Sequence, residues 1–390
     1  MRQPLIDHSE DLKRLAEDGY EVETWSGFLI LKNIPYVTTD RSVERGTLVS
    51  KLELAGDVTA RPGDHVAYLI GGTPCDHTGQ PLTQIIIDQN PTRLADGLEA
   101  NCTFSSKPSA GYRDYYEKMN TYASIISSHA RVLDPDATPR TFSLVESADE
   151  DSVFNYVDTA SSRAQLGSVN EKLKLSAVAI IGLGGTGSYI LDLVAKTPVK
   201  EVHLFDGDQL GQHNAFRSPG SASVEVLKKS PQKSEHFRSI YSQMRRGITA
   251  YGHVDERTID VLGEMDFVFI SIDQGHSRKL IVEKLEASGV PFVDVGMGVF
   301  ENDNSLFGQI RTTLSAEGCR DGARSRLPLM DNAAANEYGR NIQIVELNAL
   351  NAALAVIQWK QYLGYYVDLE REHTSVYQLD GNHIVNVRGN

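Results

Sequence analysis

Residues 178–208 read VAIIGLGGTGSYILDLVAKTPVKEVHLFDGD. An apolar run, Val178–Ile181, passes at once into Gly182, Gly184, Gly185 and Gly187, and Ser188–Lys196 then has helical composition. In this strand–glycine–helix order the glycines allow a tight turn, and the first helical N–H groups face outward as an anion site. A second apolar strand, Glu201–Asp206, ends on Asp206, 19 residues beyond Gly187, where a carboxylate can accept hydrogen bonds from ribose hydroxyls. Taken alone, the stretch suits a nicotinamide or flavin dinucleotide as well as ATP.

Working outward, Asp266–Asp273 and Pro291–Gly296 are further apolar strands, each preceded by a helix-length segment. Strands spaced in this way imply right-handed crossovers, so the predicted fold is α/β, a Rossmann-like doubly wound and mainly parallel sheet. Ile344–Leu363 is Ala/Leu-rich around most of its circumference, which predicts a helix that is buried or lies in a subunit interface. The amino-terminal region differs. A short helix at Glu10–Gly19 precedes apolar runs at Gly27–Ile34, Gly46–Leu54, His65–Ile70 and Thr83–Asp88, with Pro62-Gly63 and Gly71-Gly72 as turns. Tyr112, Tyr115, Met119, Tyr122 and Ile126 recur at helical spacing, as the core-facing stripe of a helix. This predicts a separate α+β domain with a mostly antiparallel sheet. The polar run ESADEDS begins at Glu146 and marks a linker. The expected organisation is an amino-terminal domain over 1–145, an acidic linker and arm over 146–170, a nucleotide domain over 171–365 and a carboxy-terminal extension over 366–390.

Composition narrows the function. The chain has 390 residues, with 38 Lys+Arg against 52 Asp+Glu and a formal charge of -14. That balance opposes a sequence-independent hold on nucleic acid or on an anionic membrane. No segment reaches the roughly 20 apolar residues of a membrane span, and MRQPLIDHSEDLKRLAEDGY lacks a signal-peptide core. Three cysteines, Cys75, Cys102 and Cys319, supply neither a disulfide framework nor paired CxxC zinc ligands. A reducing cytoplasm is the expected compartment.

Beyond Asp206 the sequence continues with Asp208, Asn214 and Arg217, then Lys228, Lys229 and Lys233, then Asp273 and Arg278. Here it resembles the ThiF/MoeB superfamily, which includes the adenylation domains of ubiquitin-activating enzymes. The resemblance rests on GxGGxG, on D-x-D-x5-N-x2-R and on a helix-opening Lys. It also rests on D-x4-R, in which Gln274 replaces the usual Asn, and it covers about residues 170–365. It implies that ATP is bound over Gly182, Gly184, Gly185 and Gly187, with Asp206 on the ribose and Asp208 beside it. Asn214, Arg217 and Lys233 would contact phosphates, and Asp273 would hold Mg²⁺. Arg278 is read equally as a structural residue opening a helix. Arg163, in SSRAQ, resembles the arm arginine that reaches the γ-phosphate of a partner subunit, which implies a homodimer.

The acyl acceptor stays open at this level. Cys319, near Arg320 and Arg324, is one candidate; Thr312, Thr313 or Ser315 as an oxyester site is another; direct transfer to a partner is the third. The first domain resembles a ubiquitin-conjugating fold, with Cys75 in the place of the reactive cysteine. The resemblance implies adenylation of the carboxy-terminal glycine of a ubiquitin-like or sulfur-carrier protein, without structural zinc. It also implies a conjugating-enzyme-like partner and a place in bacterial ubiquitin-like antiphage systems. Two rivals remain: a non-catalytic nucleotide-binding scaffold and an NAD- or FAD-dependent oxidoreductase.

Overall fold

The computed structural model describes residues 4–144, 152–156, 158, 160, 161, 166–330 and 342–388. Its contacts divide the chain into two units, Met1–Asp151 and Ser152–Asn390.

In the first unit, helix α1 (Glu10–Glu17) precedes a six-stranded sheet. The strands are β1 (Glu21–Trp25), β2 (Phe28–Val37), β3 (Val43–Lys51), β4 (Val66–Ile70), β5 (Ile86–Asp88) and β6 (Cys102–Ser105), in the order β1-β2-β3-β4-β6-β5. Every pairing is antiparallel. Helix α2 (Tyr115–Leu133) starts on Asp114, whose side chain accepts a hydrogen bond from the Glu117 N–H. That bond satisfies one of the donors left open in a first helical turn. The apolar stripe of α2, with Met119, Tyr122 and Ile126, packs on Leu29, Leu31, Leu48, Leu69 and Phe104 of the sheet. Cys75 is fully buried; its thiol donates to the Thr73 carbonyl at 3.5 Å, and burial pushes its pKa up. This corrects the reactive place expected for it, since an acyl-accepting thiol must be exposed and readily ionised.

The second unit is built on an eight-stranded sheet. Five parallel strands come first: β7 (Ala177–Ile181), β8 (Glu201–Phe205), β9 (Ile248–Tyr251), β10 (Phe267–Ile270) and β11 (Phe292–Asn302). Three antiparallel strands complete it: β12 (Ser305–Ser315), β13 (Glu372–Gln378) and β14 (His383–Arg388). The order is β9-β8-β7-β10-β11-β12-β13-β14, so the winding reverses between β7 and β10. Open α/β sheets bind ligands in the crevice outside such a switch point. The segment read as a carboxy-terminal extension supplies β13 and β14, because Gln309–Thr313 of β12 offers it a strand edge.

Both faces of the parallel part are covered, which explains its unbroken apolar runs. On one face Val178 and Ile180 pack with Ile190 and Leu191 of α3 (Gly185–Val194). On the other, Ala179 and Ile181 pack with Ile281, Val282 and Leu285 of a helix over Gly275–Ala287. A further helix, Val345–Tyr362, buries Trp359 completely beside Val178 on the first face. Between these, Lys233–Tyr241 is helical and Arg320–Arg324 forms a short helix. In chain order these four are α4 (Lys233–Tyr241), α5 (Gly275–Ala287), α6 (Arg320–Arg324) and α7 (Val345–Tyr362). Among the described residues no helix is long and apolar enough to cross a membrane.

Candidate nucleotide site

The glycines of the β7–α3 turn have different tasks. At Gly182, where φ is +85°, an added Cβ would lie 2.2 Å from the Ser271 carbonyl oxygen at the end of β10. At Gly187 it would lie 1.8 Å from the Gly182 carbonyl oxygen, and at Gly185 2.1 Å from Asn348 Nδ2. Among the described residues nothing lies within 4 Å of a Cβ on Gly184. Three glycines therefore seat the turn against protein, and the fourth leaves one face open beside the free N–H groups of the first helical turn. Gly187→Ala is expected to cost about 1–3 kcal/mol of stability, because backbone at both ends of the contact must move. Gly184→Ala should leave the thermal midpoint within a degree or two, and parallel calorimetric scans of the two variants check this.

Asp206 closes the turn from the neighbouring strand. Its Oδ2 accepts from the Leu183 N–H at 2.7 Å and its Oδ1 from the Asp208 N–H at 2.9 Å. A carboxylate has about four acceptor positions, so these two bonds leave capacity for a ribose hydroxyl. Lys233, the first residue of α4, is buried with its Nζ 2.7 Å from Asp208 Oδ2 and 3.7 Å from Asp206 Oδ2. The hydrogen bond from Lys233 holds the Asp208 carboxyl below the ordinary aspartate value. Asp206, Asp208 and Lys233 thus form one charge cluster at the carboxy-terminal edge of the sheet.

Asn214 and Arg217 are held in position with donors to spare. Asn214 is buried, and its Oδ1 accepts from the Gly211 N–H at 2.9 Å, which fixes the amide. Its Nδ2 and Arg217 Nε are both buried and, among the described residues, without a hydrogen-bond partner. Burial pulls the Arg217 pKa down, while the nearby Asp273 carboxylate acts in the opposite direction. A buried donor left unsatisfied costs about 1–3 kcal/mol, and phosphate oxygens are the acceptors that would best remove that cost here. Asp273 itself is exposed, in the loop that follows β10. Among the described residues no group of three His, Cys, Asp or Glu is arranged to hold a metal. A single carboxylate nonetheless fits Mg²⁺, which takes one or two protein carboxylates and completes its octahedron with water and substrate phosphates.

Arg278 belongs to the framework. It is buried, its Nε donates to Asp294 Oδ1 at 2.8 Å, and its guanidinium also donates to the carbonyls of Pro328 and Ile272. Through Ile272 it braces the loop that carries Asp273. A further residue escaped the sequence reading: Asn348 of α7 accepts from Thr186 Oγ1 at 2.9 Å and seats the glycine turn. Two asparagines three apart, Asn348 and Asn351, in the otherwise apolar run Leu347–Ile357 were the available signal.

Other expected residues are not brought to this cluster. Arg163 lies outside the described residues. Cys319 follows the end of β12, and Ser315 pairs with Phe292 at the start of β11. Through Phe292 and Val268, Ser315 is level with Ala179, so the thiol follows a strand end on the amino-terminal side of the parallel strands, whereas the glycine turn lies at their carboxy-terminal ends. The thiol contacts the Ala316 N–H at 3.4 Å and the Leu314 and Ala316 carbonyls at 3.7 and 3.5 Å. Arg324, expected beside it, is turned instead to Glu283 and Glu286. Thr312, Thr313 and Ser315 are buried within β12, at 1%, 0% and 0% exposure, which corrects their candidacy as oxyester acceptors. Burial also raises the pKa of Cys102. A thiol reagent at neutral pH is expected to label Cys319 in the native chain and to reach Cys75 and Cys102 only after denaturation; prompt labelling of all three would contradict the burial described.

Comparison with known proteins gives two family matches that overlap over residues 117–159. The ThiF family model matches residues 117–379, and a model described as a domain of unknown function, DUF6791, matches residues 10–159. No curated protein matches the chain. Among solved structures, E. coli MccB with succinimide is 18% identical, with a TM-score of 0.43, over 57% of this chain and 66% of that one. This chain thus spans just under two thirds of that MccB chain. E. coli MccB with MccA is 19% identical, with a TM-score of 0.46, over 60% and 72%. PaaA is 16% identical, with a TM-score of 0.39, over 57% and 75%.

Proposed function

Because the chain belongs to the ThiF family, we propose that it is an ATP-dependent adenylyltransferase acting on the carboxy-terminal glycine of a ubiquitin-like or sulfur-carrier protein. The observation that carries this reading is the pair of buried donors, Asn214 Nδ2 and Arg217 Nε, that have no partner among the described residues, beside a glycine turn with one face open among those residues.

In the proposed reaction a carboxylate oxygen of the carrier attacks the α-phosphorus of ATP. The new O–P bond forms as the bond from that phosphorus to the bridging oxygen breaks, and pyrophosphate leaves with the electron pair. Negative charge grows on phosphate oxygens throughout, so fixed cations and donors lower the barrier most. Arg217 and Asn214 meet that charge, Lys233 joins them from the Asp206/Asp208 cluster, and Asp206 orients the ribose. Mg²⁺, held by Asp273, would screen the carboxylate from the triphosphate. A dinucleotide oxidoreductase leaves Arg217, Lys233 and Asp273 without a task.

Arg163 would reach the γ-phosphate of a second subunit, making the working form a two-fold homodimer. With Cys319 remote from the turn and the β12 hydroxyls buried, direct hand-over to a partner's acceptor suits the chain best. The first unit would recruit the carrier or a conjugating-enzyme-like partner in a bacterial ubiquitin-like pathway, of the antiphage kind, in the cytoplasm. Calorimetry on the full chain tests the nucleotide assignment: saturable binding of ATP with Mg²⁺ and none of NAD is expected. Binding of NAD without ATP would overturn the reading in favour of the oxidoreductase.

A further inference from the structure

Three arginines of the first unit meet at one place. Arg14 of α1, Arg61 in the segment between β3 and β4, and Arg113 just before α2 line a single cavity of about 490 Å³, whose walls run from His8 to Tyr116 and so belong wholly to that unit. The volume falls in the range of small-molecule sites, about 300–1,000 Å³. The lining is charged, which points to a charged occupant.

Two of the guanidinium groups are held in place by neighbours that carry no charge. Arg14 lies over the Tyr116 ring, 3.8 Å from its centroid, and the ring is fixed by its hydroxyl, which donates to Asp18 at 2.7 Å. Arg61 donates from Nε to the Tyr112 carbonyl at 2.8 Å and from Nη2 to the Ala110 carbonyl at 2.5 Å, and a guanidinium with five N–H groups has donors to spare after two bonds. Two carboxylates of the lining are committed elsewhere. Asp11 is buried and accepts from the Leu12 N–H, the Thr59 hydroxyl and the Tyr115 N–H at 2.9, 2.6 and 2.9 Å, while Asp114 caps α2. Arg113 has Glu117 at 3.3 Å, an exposed pair of the kind that contributes little in water. Glu10 adds one exposed carboxylate to the lining. Among the described residues Arg14 and Arg61 have no carboxylate at ion-pair distance, although the chain has 52 Asp+Glu against 38 Lys+Arg. Both α1 and α2 also begin at this cavity, and the partial positive charge of a helix start adds to that of the arginines.

We propose that this cavity binds a small phosphorylated molecule, with Arg14, Arg61 and Arg113 on its phosphate oxygens. The planar guanidinium fork matches two such oxygens at a time. A phosphate monoester carries about -1.5 to -2 at pH 7, so adjacent phosphates answer three guanidinium groups better than a single carboxylate does. A concave site of this volume encloses a small molecule, whereas a protein segment would use a flatter and longer surface. No residue of the second unit takes part, so the site is independent of the adenylation proposed for the glycine turn.

Calorimetric titration of the full chain with inorganic pyrophosphate tests the site, read on Arg14→Ala, Arg61→Ala and Arg217→Ala beside the wild type. A saturable site is expected that survives Arg217→Ala, since that residue belongs to the nucleotide turn, and that weakens about tenfold or more in each of the other two variants. Citrate offers carboxylates in place of phosphates and should bind about tenfold more weakly than pyrophosphate. Arg14 is exposed, so its replacement should leave the thermal midpoint nearly unchanged, and Arg14→Lys, which keeps the charge without the planar fork, should recover only part of the affinity. Absence of pyrophosphate binding in the Arg217→Ala chain overturns the site, as does an unchanged affinity in both Arg14→Ala and Arg61→Ala. Equal affinity for citrate would overturn the phosphate class. A phosphoserine peptide that binds more than about tenfold tighter than pyrophosphate, with the same dependence on Arg14, would make the occupant a protein segment and overturn the small-molecule assignment.

Discussion

Asp273→Ala is expected to abolish pyrophosphate exchange into ATP driven by the carboxylate substrate, with the thermal midpoint nearly unchanged. The side chain is exposed, so its loss removes no core packing, and such substitutions usually move stability by no more than about 0.5 kcal/mol. Its effect falls on charge. The carboxylate lies near Arg217, in the loop that Arg278 braces, so its removal alters the field where, on the adenylation proposed above, the substrate carboxylate and the triphosphate would meet. Radiolabelled pyrophosphate exchange, read beside a thermal scan, separates the two outcomes. Exchange at the wild-type rate in a folded variant would sink the active-site assignment. Asp273→Asn keeps the shape without the charge and should fail in the same way if charge is what matters.

Arg217→Ala should lower the exchange rate by about 10²–10³, the range observed when one preorganised donor to a developing charge is removed. The residue is half-buried, its Nε has no partner among the described residues, and it follows Asn214 on the same short turn, its N–H donating to the Asn214 carbonyl at 3.1 Å. A donor poised for charge that grows during reaction shows its loss mainly in kcat. Arg217→Lys should recover only part of the rate, because an ammonium on a flexible stem does not reproduce the planar guanidinium fork. A kcat within about threefold of wild type for the alanine variant would mean that Arg217 does not meet the reacting phosphates.

Some of this was readable because it is local. The strand–turn–helix at 177–194 follows from steric needs within a few residues, and the stripe on α2 follows from the helical period. Strand β9 (ITAY) was missed, being short and lying at the sheet edge. The outer half of β11 was missed because Gly296 and Gly298, a residue type depleted in strands, interrupt V-G-M-G-V. Strands β13 and β14 depend on the edge that β12 presents, and nothing in their own composition announces that partner.

The sequence by itself determined the nucleotide turn, the parallel α/β half and the ordered series Asp206, Asp208, Asn214, Arg217, Lys233 and Asp273. These are patterns of residue type and spacing whose physical demands act along the chain. Tertiary structure decided which groups meet. It placed Asn348 on Thr186 across 162 positions, tied Arg278 and Arg311 to one buried Asp294, and set Cys319 at the far end of the sheet. It also buried Cys75, Thr312, Thr313 and Ser315. Burial and strand register are products of long-range pairing, and a hydroxyl or a thiol has the same letter whether solvent reaches it or not.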